Sequence, residues 1–130
     1  MINSTKRTGD LGEEAACRYL RKKGFKIYAR NYRTDHGELD IVAQNREYII
    51  FVEVKTRNFP KSERYGRPAD AVNRKKRERL LYSVMVYLRE FPTDKKQRMD
   101  IIEVYKKEDE AGNFKEVKII HFENAFGVNG

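Results

Sequence analysis

Two consecutive apolar runs of this chain carry charges where a strand would be expected to bury hydrocarbon. Glu38-Leu39-Asp40-Ile41-Val42 is followed, after a polar break, by Tyr48-Ile49-Ile50-Phe51-Val52-Glu53-Val54-Lys55. Carboxylates and ammonium groups rarely leave water unless they are paired or bind a metal. Asp40, Glu53 and Lys55 together suit one chemistry well. Two hard oxygen donors can hold Mg²⁺ or Mn²⁺ and leave positions for water and phosphate oxygens. A neighbouring lysine can orient or deprotonate the attacking water of a phosphodiester hydrolysis, or offset charge in its transition state. A Glu–Lys pair at a strand edge would explain Glu53 and Lys55 taken singly, but all three residues together favour the hydrolytic reading.

Strand alternation states what this site requires. In the second run Ile49, Phe51, Glu53 and Lys55 share one face, and Tyr48, Ile50, Val52 and Val54 share the other. Both faces are apolar, so the run reads as a central strand covered on both sides. Asp40 shares the face of Glu53 only across an even turn, because a one-residue slip turns every side chain over. A two- or four-residue turn around Asn45-Arg46 is therefore expected, with Asp40 opposite Phe51 and Glu53 on the diagonal at ~7–8 Å.

The elements that must position these residues follow from periodicity and punctuation. A helix is expected from Thr8 to Lys23, stopped by Gly24. Glu13, Ala16, Cys17 and Leu20 form its sheet-facing stripe, while Glu14 looks outward toward Arg18. Strands are expected at 25–32, 38–44 and 48–56, followed by a basic loop over 58–67, with Arg57 at its start. A second helix should run from near Ala69 to Glu90, before Pro92, with Val72, Lys76, Leu80, Val84 and Leu88 on one stripe. Strands at 98–105 and 115–122 complete one α+β domain spanning residues 1–130, with loose tails at 1–7 and 124–130.

Composition narrows the partner. The 130 residues hold 28 Lys and Arg against 20 Asp and Glu, a formal charge of +8 that favours a polyanion, nucleic acid before membrane. Arg74, Lys75, Lys76, Arg77 and Arg79 crowd the start of the second helix, where a bound phosphate would turn an unfavourable dipole interaction into a favourable one. Lys75, Lys76 and Arg79, with Arg33 and Arg57, are the candidate nucleic-acid contacts. No base-reading motif is visible, so binding should be driven by shape and phosphate. A single cysteine, Cys17, excludes an internal disulfide and a Cys-rich zinc site. No apolar run approaches the ~20 residues of a membrane span, so a cytoplasmic protein is expected. His36 and His121 have no partner at ligand spacing.

The ordered set Gly12-Glu13, Asn31-Tyr32-Arg33, Gly37-Glu38-Leu39-Asp40, Phe51-Val52-Glu53-Val54-Lys55-Thr56-Arg57 and Arg98-Met99-Asp100 resembles the YraN family. That family belongs to the PD-(D/E)xK superfamily and is related to Holliday-junction resolvases; Leu39 stands where the motif name has Pro. The resemblance implies a restriction-endonuclease-like αβββαβ core, a mixed sheet flanked by helices, with one extra C-terminal strand. It implies Asp40, Glu53 and the Val54 carbonyl as metal ligands, Lys55 as catalytic lysine and Glu13 as the first-helix acid of the site. The implied activity is Mg²⁺- or Mn²⁺-dependent cleavage of DNA, branched or structured DNA in particular, by a homodimer. The competing expectation is a non-catalytic nucleic-acid-binding module on the same fold.

Overall fold

A computed structural model describes residues 4–59 and 73–126. The order is α1 (Ser4–Lys22), β1 (Lys26–Arg33), β2 (Glu38–Gln44), β3 (Tyr48–Asn58), α2 (Arg74–Glu90), β4 (Lys96–Glu108) and β5 (Phe114–Phe126). The five strands form one sheet in sequential order. Three neighbouring pairs are antiparallel, and β3 with β4 is parallel. The fold is therefore α+β with a mixed sheet, and α2 lies on the connection that a parallel β3–β4 pair demands.

Each helix covers one face. Ala16, Cys17 and Leu20 of α1 pack on Ile41, Ala43, Ile50, Val52, Ile102 and Val104. Leu80, Val84 and Tyr87 of α2 pack on the other face, against Leu39, Val42, Ile49, Phe51, Met99 and Ile101. The two clusters divide β3 by odd and even residues, as its alternation requires. No described helix is long and apolar enough to cross a membrane.

Several boundaries differ from those expected. Helix α1 starts at Ser4, taking in four residues of the expected loose arm, and β5 continues to Phe126, through the start of the expected tail. Strand β3 runs on to Asn58, so Arg57 is a strand residue and not the start of a loop. Helix α2 opens at Arg74, where the extended Asn73 caps it by accepting the Lys76 N–H at 2.9 Å. The expected start near Ala69 and the rest of the basic loop, from Pro60 on, lie outside the described residues.

The β5 extension has a visible cause. Asp100 of β4 is wholly buried on the α1 side, yet every partner it needs is present. Arg98 donates two bonds of 2.9 Å to its oxygens, the Asn124 N–H donates one of 2.9 Å, and His121 Nε2 lies 2.7 Å away. His121 Nδ1 in turn shares a 3.0 Å hydrogen bond with the Tyr19 hydroxyl of α1. The histidine that looked isolated thus joins β4, β5 and α1. Burial raises the Asp100 pKa, but the bonds from His121, Arg98 and Asn124 outweigh it and hold the carboxyl below its ordinary value.

Because the folded value is depressed, this carboxylate stabilises the protein above its unfolded pKa, and the contribution is lost as pH falls through the folded one. Asp100→Ala should destabilise the fold by ~3–5 kcal/mol at neutral pH, since it strands a buried arginine. Urea denaturation at pH 7 and pH 3 checks this, with the difference from wild type shrinking at the lower pH.

Candidate active site

The turn between β2 and β3 decides whether a site exists at all. The Asn45 N–H donates to the Tyr48 carbonyl at 3.0 Å, leaving Arg46 and Glu47 as a two-residue loop. The Asn45 side chain braces it by accepting the N–H groups of Glu47 and Tyr48. The turn is even, so Asp40 and Glu53 do share a face. It sits one residue later than expected, and the register shifts by two: Val42 and not Asp40 opposes Phe51. Paired backbone ends at Ile41–Val52, and the next position outward sets Asp40 across from Glu53 instead of on its diagonal. There the Asp40 carboxylate takes the place of a strand partner, accepting the Val54 N–H at 2.8 Å.

Glu53 is 4% exposed at the end of the apolar stretch of β3. Two lysines reach the same oxygen of it. Lys76 Nζ of α2 lies 2.9 Å from Glu53 Oε1, and Lys55 Nζ of β3 lies 3.5 Å from that atom. Among the described residues no cation lies within ion-pair distance of Asp40, though the Lys76 charge is felt there. Burial, then the neighbouring Glu53 charge, raises the Asp40 pKa from 3.8 to about 7. Burial and then the nearby Lys76 lower that of Lys55. Lys76 is pulled down by burial, but its hydrogen bond and charge attraction to Glu53 win, and its pKa is raised.

Asp40 and Glu53 form a wall between two cavities. One, of about 320 Å³, opens toward α1 and is lined by Glu13, Val54, Lys55 and Thr56 as well as the two acids. The other, of about 290 Å³, opens toward α2 and is lined by His36, Glu38, Lys76 and Arg79 beside them.

Gly12 and Gly37 close these walls. A Cβ on Gly12 would collide with the Thr56 hydroxyl, so glycine lets the first helix reach the charged end of β3. That approach brings Glu13 to the first cavity, with Oε1 buried and without a hydrogen bond. Burial raises the Glu13 pKa against the pull of Arg30 and Asn31. Asn31 adopts a positive φ of 52°, a conformation asparagine tolerates better than most residues. Glu14 faces outward as expected, but its partner is Arg30 at 2.9 Å and not Arg18.

A Cβ on Gly37 would come within 3.1 Å of Ser83 Oγ, so the β1–β2 turn rests directly on α2. The Thr34 and Ser83 hydroxyls bond there at 2.9 Å. This seat sets His36 at the cavity mouth, edge-on to the Tyr82 ring at 4.8 Å. Sequence spacing alone left His36 without a role, because its neighbours come from a helix more than forty residues on.

The remaining cations fall into two groups. Lys75 and Arg79 line a shallow cavity of about 400 Å³ with His36, Glu78 and Tyr82, continuous in lining with the α2-side cavity. Arg33 is exposed and lies 3.4 Å from Glu38 at the near end of β1. Arg57 is different. Its Nε sits 2.8 Å from Glu103 Oε2, yet neither carboxylate oxygen of the fully buried Glu103 has an aligned hydrogen bond. Glu103 lies beside Lys55 in the parallel β3–β4 register. A charge within the apolar run Ile101-Ile102-Glu103-Val104 is the same signal that pointed to Glu53, and it marks Glu103 as well.

The donor set fits a hard divalent cation: the buried Glu53 beside the half-buried Asp40, and a third acid, Glu13, at the edge of the same cavity. Among the described residues no three His, Cys, Asp or Glu side chains are gathered into a ready-made metal cage. Asp40 and Glu53 are the residues that could hold such an ion.

Fold and site together define an α+β protein in which a mixed sheet between two helices presents a carboxylate–lysine cleft. The profile of the Uncharacterised protein family UPF0102 matches residues 12–104, and the chain belongs to that family, the YraN group of the sequence resemblance. A UPF0102 protein of Syntrophotalea carbinolica is 43% identical over 94% of this chain and 93% of its own length. One from Phocaeicola vulgatus is 43% identical over 91% of this chain and 90% of its own. One from Alkaliphilus oremlandii is 43% identical over 93% of this chain and 98% of its own.

The raised pKa of Asp40 has a stability consequence of opposite sign to that of Asp100. Below about pH 4 the carboxyl is protonated folded and unfolded, and it costs nothing; between pH 4 and 7 the penalty for ionising it in the fold grows, and above 7 it is complete. Asp40→Asn should therefore stabilise the metal-free protein by ~2–4 kcal/mol at pH 8 and leave it unchanged near pH 4. Urea melts in EDTA at the two pH values measure the difference.

Proposed function

We propose that this protein is a divalent-metal-dependent endonuclease that hydrolyses DNA phosphodiester bonds, acting on branched or structured DNA, on a restriction-endonuclease-like core. The observation that carries this reading is the meeting of Asp40 and Glu53 on one face, with Lys55 two residues on and Glu13 at the same cavity. A half-buried carboxylate beside a buried one destabilises a fold when both are ionised, and a bound cation would relieve that cost.

Asp40 and Glu53 would hold Mg²⁺ or Mn²⁺, with the Val54 carbonyl as a further oxygen. Such an ion, when bound, polarises the phosphate and lowers the pKa of a coordinated water. Lys55 lies beside the acids, where it would orient the attacking water, and burial with the nearby Lys76 lowers its pKa from the ordinary lysine value. Glu13, with a raised pKa and an unbonded oxygen, is the second group that can accept a proton from that water. Lys76 and Arg79 line the α2-side cavity, where a phosphate gains both their charges and the start of the α2 dipole. Lys75 and Arg33 extend the cationic surface, and Arg57, tied to Glu103, contributes from the strand side. Cutting both arms of a branched substrate calls for two such sites, hence a homodimer.

A second reading has its own support. Lys55 and Lys76 already satisfy Glu53, and no three-acid cage is present among the described residues, which suits a nucleic-acid-binding module without catalysis. Labelled single-stranded, duplex, flap and four-way DNA, incubated with and without Mn²⁺, separates the two. We expect Mn²⁺-dependent cleavage that falls ~100-fold or more in Glu53→Ala and in Lys55→Ala. Cleavage that is equal in both variants would trace to a contaminant and overturn the assignment. Salt-sensitive binding that survives EDTA, with no cleavage of any substrate, would establish the binding module instead.

A further inference from the structure

The contact of Lys76 with Glu53 is the part of the site that a phosphate-binding role for this lysine does not explain. The Lys76 ammonium sits on Glu53 Oε1 at 2.9 Å, the shorter of the two lysine contacts to that atom. A divalent cation bound through Glu53 would be a like charge beside that ammonium at a carboxylate side chain only 5% exposed, where repulsion is screened less than in bulk water. One of the cations has to move. Lys55 is fixed to β3 two residues from Glu53, and strand and carboxylate travel together. Lys76 belongs to a separate element, the first turn of α2, on a flexible stem with its side chain 40% exposed.

The place to which it can move gathers Lys76 and Arg79 on the α2 side of a cavity whose other wall is Glu38, Asp40 and Glu53. The first turn of α2 has no acidic residue to offset the helix dipole, and it carries Arg74, Lys75 and Lys76 together. The cavity that Lys76 lines with Arg79 and His36 opens directly in front of it. A phosphate there meets the ammonium and the free N–H groups of the turn, though Asn73 already accepts that of Lys76.

We propose that Lys76 is an internal stand-in for the metal: it neutralises Glu53 when no divalent ion is bound, and passes to the substrate phosphate when one enters. This rests on the metal site of the reading above. Metal and nucleic acid are then coupled through one side chain. The ion frees Lys76 for the phosphate, and the phosphate draws Lys76 away from the acid that the ion needs. Such coupling is reciprocal by linkage. Lys76 is a positioning residue here, and its signature is a metal affinity that improves when it is removed.

Mn²⁺ binding to the full chain, followed by electron paramagnetic resonance of the free ion, tests this without any turnover. Without DNA, Lys76→Met should bind Mn²⁺ at least ~5-fold tighter than wild type, and Lys76→Arg, which keeps the charge, should not. A phosphorothioate-backbone duplex should tighten Mn²⁺ binding to wild type and have little effect on binding to Lys76→Met. Glu53→Gln should abolish the binding in each background. Equal Mn²⁺ affinity in wild type and Lys76→Met would overturn the stand-in role and leave the metal site intact. No Mn²⁺ binding by either, with or without the duplex, would overturn the metal site itself.

Discussion

Two carboxylates held on one face of neighbouring buried strands are the constraint around which this molecule is arranged. Ionised together at that depth, Asp40 and Glu53 repel each other and lose hydration, and the pKa of Asp40 rises to about 7 as a result. The surrounding structure relieves only half of this. Lys55 and Lys76 pair with Glu53, while among the described residues Asp40 receives the Val54 N–H and no cation at ion-pair distance. Gly12, Gly37 and the cap at Asn73 all bring helices or turns close to that pair. The same helices supply the apolar core, Ala16, Cys17 and Leu20 on one face and Leu80, Val84 and Tyr87 on the other.

The buried acid on the opposite face shows what a structural carboxylate looks like in the same protein. Asp100 has an arginine, a histidine and a backbone N–H, so its pKa goes down and it ties β4 to β5 and α1. Asp40, two strands away across the sheet, has fewer partners among the described residues, and its pKa goes up. A fold able to satisfy Asp100 so fully did not lack the means to satisfy Asp40. The contrast is the physical argument behind the proposal of a ligand at the Asp40–Glu53 face, since perturbed carboxylates in a cleft are functional-site candidates.

Much of this was legible in the chain itself. The sharing of a face by Glu53 and Lys55 follows from a period of two, and the inward aim of Glu13 from a period near four, so both needed only local geometry. Lys76 was placed on the core stripe of α2 by the same spacing. The register was less accessible. An even turn could be required, but whether Asn45 began the loop or flanked it depended on its side chain bonding two N–H groups beyond. That choice moved Asp40 by two positions, from Phe51 to Glu53. Arg57 and the β5 terminus were misplaced for a related reason: polar residues read as loop, but Glu103 and Asp100 hold them in the sheet.

The sequence by itself determined the fold class, the two-sided burial of β3 and the identity of the acids and the lysine that could share a site. These depend on periodicities written within one element. Only the tertiary structure decided that Asp40 stands across from Glu53, that Lys76 and Lys55 meet on one oxygen, that His36 reaches the cavity mouth and that His121 serves Asp100. Each of those depends on distances between elements far apart in the chain. Such distances follow from how two helices settle on a sheet, where a missing Cβ at Gly12 or Gly37 counts for as much as any charge.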